Sequence, residues 1–182
     1  IAVRDTVAQG GDVLFVGTKK QAQEPIKEQA DRCGMYYINK RWLGGTLTNW
    51  ETIQNSIAKM ARYQDMIETG TIEVYSKKEQ TMMGKSLVKL EKNLGGIQKM
   101  DGPPALMFVV DSQREGIAIS EAKRLGIKTV AICDTNSDPD KVDIPVPGND
   151  DAIRAINLFC SIMADAVLDG RMRFEKDKEA AA

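Results

Sequence analysis

Ala105-Leu106-Met107-Phe108-Val109-Val110 is apolar at six consecutive positions, and its reading decides the fold class. A strand with one wet face alternates apolar and polar side chains. A strand covered on both faces does not, so this run predicts an interior strand of a parallel sheet. Working outward, Val13-Leu14-Phe15-Val16 and Thr129-Val130-Ala131-Ile132-Cys133 have the same character. Tyr36-Tyr37-Ile38 and Ile144-Pro145-Val146 read as shorter strands, the second near an edge because proline has no N–H for a ladder. Helix-like segments lie between them: Gln21 to Arg32 stopped by Gly34, Ile117 to Leu125 stopped by Gly126, and Asp151 to Asp169 stopped by Gly170. The recurring order of strand and helix predicts an α/β fold, a doubly wound parallel sheet with helices on both faces.

One long interruption falls between Ile38 and Ala105. Ile53, Ile57, Met60, Gln64 and Ile67 recur at alternating four- and three-residue steps, as do Met83, Leu87, Leu90, Leu94 and Ile97. These are two heptad seams. With Thr69-Gly70-Thr71 turning the chain between them, they predict an inserted antiparallel helical coiled-coil hairpin. The expected organisation is an α/β domain from residues 1–48 and 102–170, an insertion over 49–101, and a C-terminal tail over 171–182. The opening residues read as the closing turns of a helix capped by Gly10-Gly11, so a preceding N-terminal segment is expected.

Composition narrows the chemistry. With 42% hydrophobic residues in 182, the chain can bury a real core. It has no apolar run near the roughly 20 residues that span a bilayer, so no membrane partner is expected and its place is the soluble interior of a cell. Histidine is absent, which excludes a Ser-His-Asp triad, a Cys-His pair and imidazole metal ligation. Cys33, Cys133 and Cys160 are odd in number and follow no ligand spacing, so they read as buried reduced thiols. Charge is divided along the chain. Residues 1–100 hold 15 Lys+Arg against 11 Asp+Glu, and residues 101–182 hold 10 against 15, compatible with one face for phosphate and another for protein or solvent.

Strand ends are where an open parallel sheet binds ligands, and three polar stretches fall there: Gly17-Thr18-Lys19-Lys20, Asp111-Ser112-Gln113-Arg114 and Asp134-Thr135-Asn136-Ser137-Asp138. The first has two lysines before a helix but lacks both the P-loop and the dinucleotide glycine pattern. A phosphate contact by Lys19 and Lys20 and a plain strand-to-helix turn weigh equally. Asp134, Asp138, Asp140 and Asp143 invite a calcium loop, but Pro139 and Pro145 stand where glycine and a bidentate glutamate are needed. Turn and capping chemistry is the better account, and no metal or cofactor is expected. Asn149 is placed as a helix N-cap with Asp150 and Asp151 in the first turn.

Asn39-Lys40-Arg41-Trp42-Leu43-Gly44-Gly45-Thr46-Leu47-Thr48-Asn49-Trp50 combines adjacent cations, two tryptophans, two glycines and several hydroxyl and amide groups. That mixture suits a loop laid on folded RNA: charge for phosphate, rings for stacking, glycine for close approach. On composition alone the other reading, Trp42 and Leu43 anchored in the core beside solvated Lys40 and Arg41, stands slightly ahead.

At this loop the sequence resembles a known family. Arg41-Trp42-Leu43-Gly44-Gly45 and Leu47-Thr48-Asn49, with Leu14-Phe15-Val16-Gly17-Thr18-Lys19, Asp134-Thr135-Asn136-Ser137-Asp138-Pro139 and Ile144 to Arg154 in the same order, resemble the bacterial family of the second small-subunit ribosomal protein. The resemblance implies a Rossmann-like (flavodoxin-like) domain with a coiled-coil arm and a structural, non-enzymatic role in the small ribosomal subunit of the cytoplasm or an organelle. The implied partners are small-subunit ribosomal RNA, neighbouring ribosomal proteins and ribosomal protein S-one, with no small-molecule substrate. It makes Lys19, Lys20, Lys40, Arg41, Trp42, Thr48 and Asn49 candidate RNA-binding residues, and Arg62, Lys85 and Lys89 candidate docking residues on the arm. The alternative from the residues alone is a nucleotide-dependent α/β enzyme using the strand ends.

Overall fold

The computed structural model describes residues 1–180. In chain order it contains α1 (Ala2–Ala8), β1 (Val13–Val16), α2 (Gln23–Cys33), β2 (Tyr36–Ile38), α3 (Trp50–Glu68), α4 (Lys77–Leu94), β3 (Leu106–Val110), α5 (Gly116–Leu125), β4 (Lys128–Cys133), β5 (Ile144–Pro147) and α6 (Ile153–Ala180). The five strands form one parallel sheet in the order β2-β1-β3-β4-β5. This is the expected flavodoxin-like order, in which the winding direction reverses between β1 and β3. β5, with its prolines, pairs only with β4 and forms an edge.

Consecutive apolar residues supply two cores because successive side chains leave a strand on opposite faces. Val13, Phe15, Leu106, Phe108 and Val110 pack with α1, α2 and α6. Leu14, Val16, Met107 and Val109 pack with α5 and with Leu47, Ile53, Leu94 and Ile97 at the base of the insertion. Phe15 and Phe108, both fully buried, meet edge to face at 5.6 Å, and each contributes about 1.5–3 kcal/mol by burial. Helices α2 and α5 stop where expected, at Gly34 (φ 64°) and Gly126 (φ 70°) in the left-handed conformation.

The insertion is a pair of antiparallel helices. Gln54, early in α3, donates to the carbonyl of Asp101 beyond α4, whereas Gln64 further along donates to Glu91. A capping box between Ser76 and Glu79 starts α4. The seam holds at Ile53, Met60, Leu87 and Leu94, all buried, but at the tip Met66 is buried and Ile67 is 46% exposed. There α3 packs on the 3₁₀ turn Thr71–Val74 as well as on α4, so the heptad no longer defines its inner face.

Two expectations about α6 require correction. The helix does not stop at Gly170 but continues to Ala180. Gly170 is buried, and a Cβ there would lie 2.6 Å from the Arg4 carbonyl oxygen and 2.8 Å from Val7 Cβ. The missing side chain serves close packing against α1, not a cap. At the other end the Asn149 side chain accepts from the N–H groups of Asp151 and Ala152, yet the helix begins only at Ile153. Asp150 and Asp151 therefore precede the first turn.

Candidate functional site

The loop between β2 and α3 is built around a residue outside it. Glu121, on α5 and 8% exposed, accepts at one carboxylate oxygen from the Trp42 indole N–H (3.0 Å) and the Gly45 N–H (2.8 Å). The other oxygen accepts from the N–H groups of Leu47 (2.9 Å) and Thr48 (3.1 Å) and from the Thr48 hydroxyl (3.2 Å). Burial pushes this carboxyl up, but the bonds from Trp42, Gly45, Leu47 and Thr48 outweigh it and hold it below the ordinary glutamate range. Gly45 sits at φ 89°, the left-handed region that favours glycine, so its N–H can join the set. Leu47 is buried beneath.

This arrangement separates the candidate residues of the loop. Trp42 is half-buried and its N–H is engaged, and Thr48 uses both its donors on Glu121. Both therefore hold the loop's shape. Lys40 and Arg41 remain exposed; Lys40 donates to the Gln23 side chain at 2.8 Å. Exposed Asn49 starts α3 and accepts from the Thr52 hydroxyl at 3.0 Å. Glu121 carried no local signal in the sequence, since an acid in an amphipathic helix normally faces solvent.

The strand ends come together as a second constellation. The Lys19 ammonium lies 3.3 Å from Asp111, 2.7 Å from Asp150, and against Asp151. Burial disfavours its charge, but bonds to Asp150 and Asp151 prevail and raise its pKa above the usual lysine range. Three donors face three carboxylates, so Lys19 is an internal tie and has no donor left for phosphate. This revises its placement beside Lys20, which stays exposed. Asp111 takes φ 69°, turning the chain out of β3, and accepts from the Arg114 N–H at 3.0 Å. Asp134 accepts from the Asp150 N–H, and Asp134, Asp150 and Asp151 each bring a carboxylate oxygen within 4.8 Å of the others. The acids of the rejected calcium loop do turn chemistry: Asp138 caps Asp140, and Asp143 accepts from the N–H and hydroxyl of Thr129.

On the arm, Arg62, Lys85 and Lys89 are all exposed. Cys33 and Cys160 are buried thiols, the latter pushed up to about 12 by burial, whereas Cys133 is only half-buried. No described helix is long and apolar enough to cross a membrane.

Comparison with known proteins shows the family of the chain. A profile of the family described as Ribosomal protein S2 matches residues 1–170. The chain is 58% identical over 171 residues to "Small ribosomal subunit protein uS2" of Maricaulis maris, covering 93% of the chain and 59% of that protein. It is 55% identical to the protein of the same name from Endomicrobium trichonymphae, covering 97% of the chain and 72% of the relative. For the protein from Maridesulfovibrio salexigens the figures are 53%, 99% and 70%. The chain thus spans between 59% and 72% of the length of these relatives. A profile match over nearly the whole chain, together with the parallel sheet that the resemblance implied, leads to one conclusion: the chain belongs to the ribosomal protein S2 family.

Proposed function

We propose that this chain is a structural, non-enzymatic component of the small ribosomal subunit that binds the subunit's RNA through the loop from Asn39 to Trp50. One observation carries the reading. A buried carboxylate, Glu121, fixes the loop's backbone, and Lys40 and Arg41 are left exposed side by side. A preshaped loop with two outward cations meets a phosphate backbone at low entropic cost. Lys20 at the neighbouring strand end extends the positive surface, Asn49 borders it, Lys19 and Trp42 support it from within, and exposed Thr48 is held in place by Glu121. The name carried by the relatives agrees with this role. Against the enzyme alternative, the strand-end lysine is engaged by carboxylates.

The same proposal assigns protein contacts to the arm. Lys85 and Lys89 are one turn apart on an exposed face of α4, and Arg62 is exposed on α3, which suits docking of a neighbouring ribosomal protein. Ribosomal protein S-one is the partner that the resemblance implies. Co-sedimentation with small subunits stripped of this protein tests the reading. Wild-type chain rebinds, and Lys40→Glu with Arg41→Glu weakens rebinding about ten-fold or more at physiological salt. Rebinding unchanged by the double substitution removes the loop from the interface. For the arm, Lys85→Glu with Lys89→Glu lowers capture of purified ribosomal protein S-one, and equal capture refutes that contact.

A further inference from the structure

The cavity that Lys40 and Arg41 line has an opposite wall that begins at Arg114, the last residue of the polar stretch after β3. Arg114, Glu115 and Ile117, at the entrance to α5, enclose with them a space of about 450 Å³. A second cavity of about 470 Å³ shares Arg114 and Ile117 and continues along α5 to Arg124. The first opens at the carboxyl ends of β1 and β3, where the strand order reverses and open α/β sheets take their ligands, and the second leads away from it along α5.

Arg114 is positioned from beneath. Glu115 is 3% exposed and accepts from both the N–H and the hydroxyl of Thr18. The Thr18 hydroxyl oxygen in turn accepts from Arg114 Nε at 3.1 Å. A buried carboxylate thus fixes a hydroxyl, and the hydroxyl fixes one edge of a guanidinium. The two terminal NH₂ groups of Arg114 have no hydrogen-bond or ion-pair partner among the described residues. Neither do Arg41 and Arg124 form an ion pair among them. The carboxylates lining these cavities, Glu115 and Glu121, are spent on Thr18 and on the loop. Gly116 and Ile117 line the second cavity from the first turn of α5, which contains no acidic residue. The positive end of that helix dipole adds to the guanidinium.

We propose that Arg114, facing Lys40 and Arg41, binds a phosphodiester of an RNA strand, and that the strand runs over the 65%-exposed Ile117 toward Arg124. The cations are spread along two adjoining cavities. That spacing fits successive phosphates of a strand, whereas the phosphate tail of a free nucleotide needs them gathered at one point. Ile117 offers the intervening ribose or base an apolar seat. This inference rests on the RNA-binding reading above.

The test uses the full chain, small subunits stripped of it, and a salt series from 50 to 300 mM, roughly the range over which phosphate contacts weaken visibly. Arg114→Gln lowers rebinding several-fold and makes the dependence of log affinity on log salt shallower by about 0.7. Lys176→Gln, an exposed cation on α6 away from the cavities, leaves both unchanged. Arg124→Gln repeats the measurement at the far end in case Arg114→Gln melts early, and should also flatten the slope. Wild-type rebinding with slopes unaltered in both variants overturns this site and leaves the functional reading intact. Failure of the wild type to rebind overturns both. Calorimetry with ATP and with inorganic phosphate supplies the last arm: saturable ATP binding lost in Arg114→Gln, with subunit rebinding retained, would assign the cavity to a free nucleotide and refute an RNA strand.

Discussion

Glu121 shows why one residue type is required at the residue scale. Both of its oxygens accept, from groups on the loop that can only donate. Glutamine has the same shape but would turn an NH₂ group toward N–H donors. Glu121→Gln is therefore expected to lower stability by about 2–3 kcal/mol in urea denaturation, the scale of charged hydrogen bonds left unmade. The pH dependence has a definite sign. The folded carboxyl titrates lower than the unfolded one, so its stabilisation is complete above the ordinary glutamate range and is lost as pH falls through the lowered value. The gap between wild type and Glu121→Gln should accordingly close in acid, and a gap independent of pH would contradict the bonding described. Lys19 makes a parallel case. One oxygen of Asp150 is already buried without a partner, and Lys19→Met would strip the other of its cation. A loss of about 3 kcal/mol or more is expected, and a variant as stable as wild type would show that the ion cluster is incidental.

Among the elements, α6 illustrates how a sequence signal can be genuine and misassigned. Glycine near the end of an apolar period normally marks a stop, but Gly170 marks a crossing. Its backbone lies so close to α1 that any Cβ would press on Arg4 and Val7. Gly170→Leu should separate the two helices and lower the melting temperature of a chain this size by several degrees, consistent with about 1–3 kcal/mol of overpacking. An unchanged melting temperature would mean that α1 shifts freely. Gly96 has the corresponding role at the foot of the arm, where a Cβ would strike the carbonyl oxygen and ring of Tyr37. The arm itself is anchored only at its base, where Ile53, Leu94 and Ile97 enter the second core, and its outer turns rely on the seam between α3 and α4. Along those outer turns Arg62, Lys85 and Lys89 are exposed.

Across the whole molecule, the sheet's two cores bury the apolar residues, and the cleft at its carboxyl edge gathers exposed and partly exposed cations. The apolar runs bury both faces, and polar groups left at the strand ends are favoured where they are paired or face outward, the one unpartnered oxygen of Asp150 being the exception. Lys19 and Glu115 are paired inward; Lys40, Arg41 and Arg114 face the cavity. What the sequence by itself determined was the class of fold, the inserted hairpin, the edge position of the proline-bearing strand, and the loop most unlike an ordinary turn. These follow from periodicity and from backbone chemistry, which act over a few residues and are written locally. Only the tertiary structure decided which polar residues were free. Lys19 and Lys20 are adjacent in sequence yet differ because Asp111, Asp150 and Asp151 converge on one of them. Trp42 is tied because Glu121, 79 positions away, reaches it, and Arg114 is aimed because Thr18, 96 positions away, holds its Nε. Pairing between side chains depends on separations of about 3 Å in space, and nothing in local sequence encodes which distant residue the fold will bring that near.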